Sequence, residues 1–372
     1  MIKLGDKFIG QPNSCFVIAE AGSNHNGSLE LGKKLIDAAK ECGCDAVKFQ
    51  AFRAENLATR KADKAQYQKG KSGGKNQFEM LKELELSVNT HRLLIAHAKS
   101  SGIPIFYSVF DEESSDMVEA LGVSIFKLGS GELTNIPLIK HIAGKNKPLI
   151  ISTGMATDEE IKEAVDAFRN SGSNKLLLMH CSTGYPSHLE DANLRRINYL
   201  KEKFGVPCGN SDHTDGIIVS VMAAAMGVPF IEKHFTLDKE LPGPDHPMSM
   251  DPQEMRKLCA AVRVVEKNPV KEDEVAAALQ KTGIHITGEE IEMILGKGDR
   301  RLPEAEIKQR SWARKSLVAA RDIRAGEVLG RNDLVIRRPE EGMSPIDYEK
   351  VLGRKIRFSV EKGSPIKREM LE

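Results

Sequence analysis

Eight short apolar runs recur through the first two-thirds of the chain, at residues 15–20, 45–50, 104–109, 124–130, 148–154, 176–181, 206–212 and 229–235. Stretches with helical period separate them, such as residues 29–40 and 158–170, and Gly turns such as Glu41-Cys42-Gly43 and Ser101-Gly102 precede most runs. Near-continuous apolar strands alternating with helices predict a parallel sheet covered on both faces. Eight such units predict a (β/α)₈ TIM barrel; a doubly wound open sheet is the competing α/β architecture.

Beyond the eighth unit the pattern changes. Residues 255–266 read as a helix, and 272–295 as a charged helical stretch broken at Ile284-His285-Ile286-Thr287-Gly288. From residue 313, strand-like pieces at 316–319, 334–337 and 355–358 alternate with turns such as Arg324-Ala325-Gly326. The expected organisation is a barrel over 1–268, a linker with an inserted helical segment over 269–312, and a small second domain over 313–372. About sixty residues is near the lower limit for an independent core, so that domain should pack on something. The polar, Gly/Lys-rich stretch 60–77 interrupts the second unit and reads either as a mobile lid or as a solvated loop.

Charge and cysteine usage narrow the class. Among 372 residues the formal net charge is +1, which points to neither nucleic acid nor an anionic membrane as partner. No apolar run approaches the length of a bilayer span, and the opening Met1-Ile2-Lys3-Leu4-Gly5-Asp6-Lys7 is too polar for a signal peptide. The six cysteines are scattered without a C-x-x-C pair, which fits reduced thiols in a cytoplasmic protein.

Chemistry collects at the last positions of the apolar runs: Glu20, Lys48 and Gln50, Ser108, Lys127 and Ser130, Ser152 and Thr153, Ser182 and Thr183, Ser211 and His213, and His234. Parallel barrels build their active sites at those strand ends. Two lysines, a carboxylate and two histidines converging on one mouth fit an anionic substrate and a metal, since buried charges are costly unless paired. His213 and His234 end successive runs, and two neutral imidazoles can hold one divalent ion with positions left for substrate oxygens.

The motifs in order resemble the sialic acid synthase family, its legionaminic branch included. The resemblance is carried by Ile18-Ala19-Glu20-Ala21-Gly22-Ser23-Asn24-His25-Asn26-Gly27, Val47-Lys48-Phe49-Gln50, Phe126-Lys127-Leu128-Gly129-Ser130-Gly131-Glu132, Ile151-Ser152-Thr153-Gly154-Met155, His180-Cys181-Ser182 through Tyr185-Pro186, Ser211-Asp212-His213-Thr214, Glu232-Lys233-His234-Phe235 and Pro242-Gly243-Pro244-Asp245-His246. Arg337-Arg338-Pro339 lies in a tail similar to the family's antifreeze-protein-like (SAF) domain. The resemblance implies a metal-dependent condensation, with C–O cleavage, of phosphoenolpyruvate and an N-acyl-mannosamine-type sugar to a nonulosonic acid and phosphate. It further implies a domain-swapped homodimer whose partner supplies Arg338. By matching motif, His213 and His234 would hold Mn²⁺ or Mg²⁺, and Glu20 would be the general acid/base. Lys48, Gln50, Ser108, Lys127, Ser130, Ser152, Thr183 and Ser211 would bind phosphoenolpyruvate; Glu132, Tyr185, Asp245 and Arg338 would face the sugar.

The chain departs from the family pattern in places. Ser108-Val109-Phe110 stands for the usual Ser-Thr-Pro-Phe, Thr183 for Asn or Ser, and His246-Pro247-Met248-Ser249-Met250 for a Lys-Ala-Ser-Leu continuation, while residues 270–294 are an addition. Two other functions compete: a Schiff-base aldolase using Lys48 or Lys127, which would need a depressed lysine pKa, and a non-catalytic carbohydrate-binding protein. Borohydride trapping with a keto acid separates the first, and chelator-sensitive phosphate release the second.

Overall fold

The computed structural model describes residues 1–64, 74, 76–184, 186–299, 302 and 304–372, with 305 by its backbone alone. Twelve strands are formed among them. β1 (Ile2–Leu4) and β2 (Lys7–Ile9) make an antiparallel hairpin. β3 (Phe16–Gly22), β4 (Ala46–Ala51), β5 (Ile105–Val109), β6 (Phe126–Leu128), β7 (Leu149–Ser152), β8 (Leu176–Cys181), β9 (Cys208–Asp212) and β10 (Phe230–His234) close in sequence order into a parallel barrel, β10 pairing back onto β3. Closure rules out the open doubly wound sheet. The hairpin has no counterpart in the sequence reading because it is short and polar; only Leu4 and Ile9 are buried in it.

The helices α1 (Leu29–Glu41), α2 (Ala54–Leu57), α3 (Gln77–Leu84), α4 (Val88–Ser101), α5 (Glu112–Ala120), α6 (Ile136–Gly144), α7 (Asp158–Asn170), α8 (Arg195–Phe204), α9 (Ile218–Ala225) and α10 (Pro252–Val265) follow the barrel strands. Their starts are written in the sequence. Thr157 and Glu160 form a reciprocal capping box on α7, and Asp251 and Glu254 do the same on α10, where Pro252 occupies the first turn. α9 is apolar almost all round because α10 and a linker helix cover it from outside.

Residues of the charged insert form α11 (Val275–Gln280) and α12 (Gly288–Leu295), separated where the break at 284–288 was expected, and α13 (Glu304–Ala313) leads into the small domain. Arg195 of α8 fastens the insert through Glu272 and Glu292. In the small domain β11 (Ser316–Ala319) pairs antiparallel with β12 (Leu334–Arg337), α14 (Tyr348–Val351) packs nearby, and Leu317, Ile323, Val351, Ile356 and Ile366 form a separate core. The piece expected as a strand at 355–358 is instead two isolated bridges, Lys355 to Val328 and Ile356 to Leu371, because each backbone stretch meets its partner at one point before turning away. Most of the 60–77 stretch, namely 65–73 and 75, lies outside the described residues, so neither expectation for it is decided.

Strand pleating sorts the side chains. On β10, Glu232 and His234 share a face, while Lys233 points the other way and pairs with Asp212 at 2.9 Å. Gly209 of β9 leaves room for the Phe230 ring, whose atoms would stand 2.3 Å from an added Cβ. Gly209→Ala should therefore overpack the barrel and cost about 1–3 kcal/mol. Gly144→Ala, with no atom within 4 Å of its added Cβ, should be neutral or slightly stabilising; denaturation midpoints of the two variants check this, and an unchanged Gly209→Ala midpoint would contradict the packing argument.

Candidate active site

The register of the barrel puts the polar strand ends in contact. His234 pairs with Glu20 and Glu20 with Lys48, while Gln50 pairs with Ser108 and Ser108 with Lys127. These positions surround a cavity of about 170 Å³ at the C-terminal mouth. Its wall includes Glu20, Lys48, Gln50, Ser108, Lys127, Ser130, Ser152, Thr183, Ser211, His213, Glu232, His234, Asp245 and Arg338. The structure thus brings together all but two of the residues expected at the site.

The exceptions are Tyr185 and Glu132. Tyr185 lies outside the described residues. Glu132 is fully buried off the cavity wall: its Oε2 pairs with Lys315 Nζ at 2.9 Å and accepts from Asn135 Nδ2 at 2.9 Å. The carboxylate expected to meet a sugar therefore fastens the start of the small domain to the barrel.

At the centre is a buried network of two lysines and two carboxylates. Lys48 Nζ lies 2.6 Å from Glu20 Oε2, donates to Ser108 Oγ at 2.6 Å, and is 3.6 Å from Glu232 Oε2. Lys127 Nζ lies 3.1 Å from Glu232 Oε1, which also accepts from Ser211 Oγ at 3.2 Å. Gln50 Nε2 donates to Glu20 Oε1 at 3.3 Å. Burial would raise both carboxyls, but the outcomes diverge. At Glu232 the charges of Lys127 and Lys48 outweigh burial and hold it down to about 2. At Glu20 burial outweighs Lys48 and, helped by the Glu232 charge, raises it to about 7. Burial pulls Lys48 down, yet Glu20 and Glu232 leave it above the ordinary lysine value; at Lys127 burial prevails and the value is lowered. One carboxylate is thus a fixed anion and the other can exchange a proton near neutrality.

Glu232 was missed as a functional residue, although the signal was present. It stands two residues before His234 on one strand, so it must face the same mouth.

The two imidazoles lie with ring centroids 5.3 Å apart. His213 Nδ1 is 2.8 Å from the Ser182 carbonyl, so Nδ1 carries the proton and Nε2 is the ring's lone-pair nitrogen. Burial lowers His213 to about 4 and, with the neighbouring His213, takes His234 well below the ordinary value. Neutral, oriented rings suit a divalent ion. Among the described residues no group of three His, Cys, Asp or Glu is placed to hold one, so the protein would supply two nitrogens and the remaining positions would be filled by other oxygens.

Asp245, also on the cavity wall, accepts from Ser23 Oγ at 3.4 Å, and burial raises it to about 6 against that bond. Arg338 reaches the mouth of its own chain. Its backbone N–H donates to Leu57 O at 3.0 Å, its carbonyl accepts from Thr59 at 3.0 Å, and its guanidinium lies 5.7 Å from the Phe110 ring centroid. Within this single chain the small domain brings it there.

A barrel with a proton-exchanging carboxyl, paired lysines and two metal-competent imidazoles at its mouth, overhung by a small domain, defines an anion-handling enzyme of the lyase-like or transferase-like kind. The chain belongs to the NeuB family, whose model matches residues 35–273, and residues 314–372 match the SAF domain. It is 40% identical to the N,N'-diacetyllegionaminic acid synthase of Legionella pneumophila, across 99% of this chain and 98% of that protein. The protein of the same name from Campylobacter jejuni is 42% identical over 91% and 94% of the two chains. Among solved structures, the spore coat polysaccharide biosynthesis protein spsE of Bacillus subtilis superposes with a TM-score of 0.81 at 28% identity, over 100% of this chain and 99% of that one.

The divergence of the two carboxyls is measurable. Infrared titration should show two buried carboxyls, one with a midpoint near 7 and one, Asp245, near 6, and Glu20→Gln should abolish the first alone. Because the folded value lies above that of the unfolded chain, the Glu20 contribution favours the fold at low pH and is lost as pH rises through about 7. Glu20→Gln should accordingly flatten the fall in stability between pH 5 and pH 8. A band still titrating near 7 in the variant would assign it elsewhere.

Proposed function

We propose that this protein condenses phosphoenolpyruvate with an N-acyl-mannosamine-type sugar to give a nonulosonic acid and phosphate. The observation that carries the reading is the mouth itself, where the Lys48–Glu20–Glu232–Lys127 network, a row of strand-end hydroxyls and two neutral imidazoles meet in one cavity. The near full-length similarity to two N,N'-diacetyllegionaminic acid synthases supports it and favours a doubly N-acylated sugar.

Lys48 and Lys127 bind the phosphate and carboxylate of the enol ester, with Ser130, Ser152, Thr183 and Ser211 supplying hydroxyl donors; charge-assisted bonds of this kind position an anion and neutralise developing charge. C3 of phosphoenolpyruvate attacks the aldehyde carbon of the open-chain sugar, whose carbonyl oxygen takes the displaced π pair and leaves C2 electrophilic. Glu20, between Lys48 and Gln50, accepts a proton from the water that adds to C2 and returns it to that sugar oxygen, which becomes a hydroxyl. The C2–O bond to phosphate then breaks, the C2 hydroxyl proton leaves with the phosphate, and the 2-keto acid remains. His213 and His234 would hold Mn²⁺ or Mg²⁺, which when bound polarises the aldehyde of the open-chain sugar. Asp245 and Arg338 contact the sugar's hydroxyl and N-acyl groups, the guanidinium fork being suited to a planar acceptor. No described helix is long and apolar enough to cross a membrane. The scattered cysteines, all free and buried, support a reducing compartment, the cytoplasm.

Phosphate release should be seen with phosphoenolpyruvate and a 2,4-diacetamido-6-deoxy-mannose, and more weakly with N-acetylmannosamine or its 6-phosphate. It should stop in chelator and return with Mn²⁺ or Mg²⁺; His213→Ala or His234→Ala should abolish both turnover and Mn²⁺ binding measured directly. Full activity of the stripped protein in chelator removes the metal from the reaction.

We also propose, on the family resemblance, that two chains exchange the small domain through the linker. Within this chain Arg338 contacts Leu57, Thr59 and Phe110 at the mouth, the position that an exchanged small domain would have to take. Mixing an Arg338→Ala chain with a His213→Ala chain under subunit exchange should then regenerate about one intact mouth per mixed dimer. A mixture as inactive as its parents despite proven exchange would mean that Arg338 serves its own barrel or nothing at the site.

A further inference from the structure

Met155, just past β7, lines the cavity and holds a left-handed backbone, φ +58°, that a non-glycine residue adopts only at a cost. Both of its backbone polar groups are taken by α13. Its N–H donates to Glu306 Oε2 at 2.9 Å, and its carbonyl accepts from Arg310 Nη1 at 3.2 Å. Glu306 and Arg310 are four residues apart, on one face of that helix. The second oxygen of Glu306, Oε1, accepts from the N–H of Thr183, just past β8, at 3.1 Å. Arg310 continues to Glu160, at 2.7 Å, the carboxylate that closes the capping box of α7.

The buried carboxylate of Glu306 therefore bridges the ends of two adjacent barrel strands. Between those contacts lie hydroxyls of the mouth. Ser130 Oγ accepts from Gly154 N–H at 3.1 Å, and a Cβ on Gly154 would stand 2.7 Å from that oxygen and 2.4 Å from the Thr183 methyl. Ser130, Gly154 and Thr183 thus pack too closely to shift one at a time. Roughly one and two helical turns beyond Glu306 on α13, Gln309 and Trp312 also line the cavity.

We propose that Glu306 is a positioning residue of the anion-binding side of the mouth: with Arg310 it clamps Met155 in its left-handed conformation and fixes the Thr183 backbone, so that the strand-end hydroxyls face the phosphate of phosphoenolpyruvate. This rests on the proposed function, but the clamp itself is independent of the substrate's identity.

Glu306→Gln is isosteric, yet it replaces one of the two acceptor oxygens with an NH₂ that must confront an N–H. The expected result is a rise of about tenfold in KM for phosphoenolpyruvate, as for one lost charge-assisted bond, with KM for the sugar within about twofold. Amide hydrogen exchange at Met155 and Thr183 should accelerate while the rest of the barrel stays protected. Adding Met155→Gly to Glu306→Gln should recover part of the lost affinity, because glycine adopts the left-handed conformation without strain. An unchanged KM with unchanged exchange overturns the proposal. So does an equal rise in both KM values, which marks a general structural role, or a lower KM for phosphoenolpyruvate, which would make Glu306 a competitor of the incoming anion. If Glu306→Gln does not fold, Arg310→Met opens the carbonyl half of the clamp and must give the same KM split and the same local exchange. Should the wild-type protein not consume phosphoenolpyruvate, the proposed function fails, while the exchange measurement still decides the clamp.

Discussion

Four buried charges at the barrel mouth constrain everything around them. Lys48, Lys127, Glu20 and Glu232 are nearly inaccessible, and taking such groups out of water costs more than an ordinary ion pair returns. They are tolerated because opposite charges offset one another and because a closed parallel sheet holds each at hydrogen-bond distance of a partner. Replacing the set by apolar residues of similar volume would cost the fold little or even stabilise it, so its presence argues for chemistry rather than stability. Glu232 is the keystone. It accepts from Lys127 and Ser211 and stands 3.6 Å from Lys48, so it pairs with both cations, while burial, helped by its charge, gives Glu20 the proton-exchanging value that a reaction at neutral pH needs.

Around that centre the small domain and linker behave as walls of the site. Lys315, entirely buried, spans from Glu132 to the carbonyl of Phe110, so the strand leading into the small domain is tied to two βα loops at once. Arg338 joins the end of α2 by backbone bonds to Leu57 and Thr59, and α13 holds the loops after β7 and β8 from the other side. Gly131 allows this approach: a Cβ there would lie 2.6 Å from the Ala313 carbonyl. The mouth is therefore assembled from barrel, linker and small domain together, as preorganisation of an anion site requires.

Much of this was legible in the sequence. The apolar runs place eight strands and the Thr-x-x-Glu and Asp-x-x-Glu signatures place helix starts, because periodicity and capping are local. The polar strand-end residues could be recognised as one site because a parallel barrel gathers the C-terminal ends of its strands wherever the intervening helices lie.

Other features depended on contacts between residues far apart in sequence. The sequence motif suggested Glu132 as a sugar contact, but only the approach of Lys315 shows it committed to an interdomain pair. Glu232 could have been found from strand alternation alone, whereas its hold on both lysines required the register. Glu306 and Arg310 lie in a charged helix that reads as a solvated linker; nothing local shows that one face of it seals Met155 and Thr183. Sequence by itself determined the strands, the helix boundaries and the inventory of reactive groups, since these follow from local periodicity and side-chain type. Tertiary structure alone decided which charges neutralise one another and which face the cavity, because a pair's partners and desolvation are set by distances that no local pattern encodes.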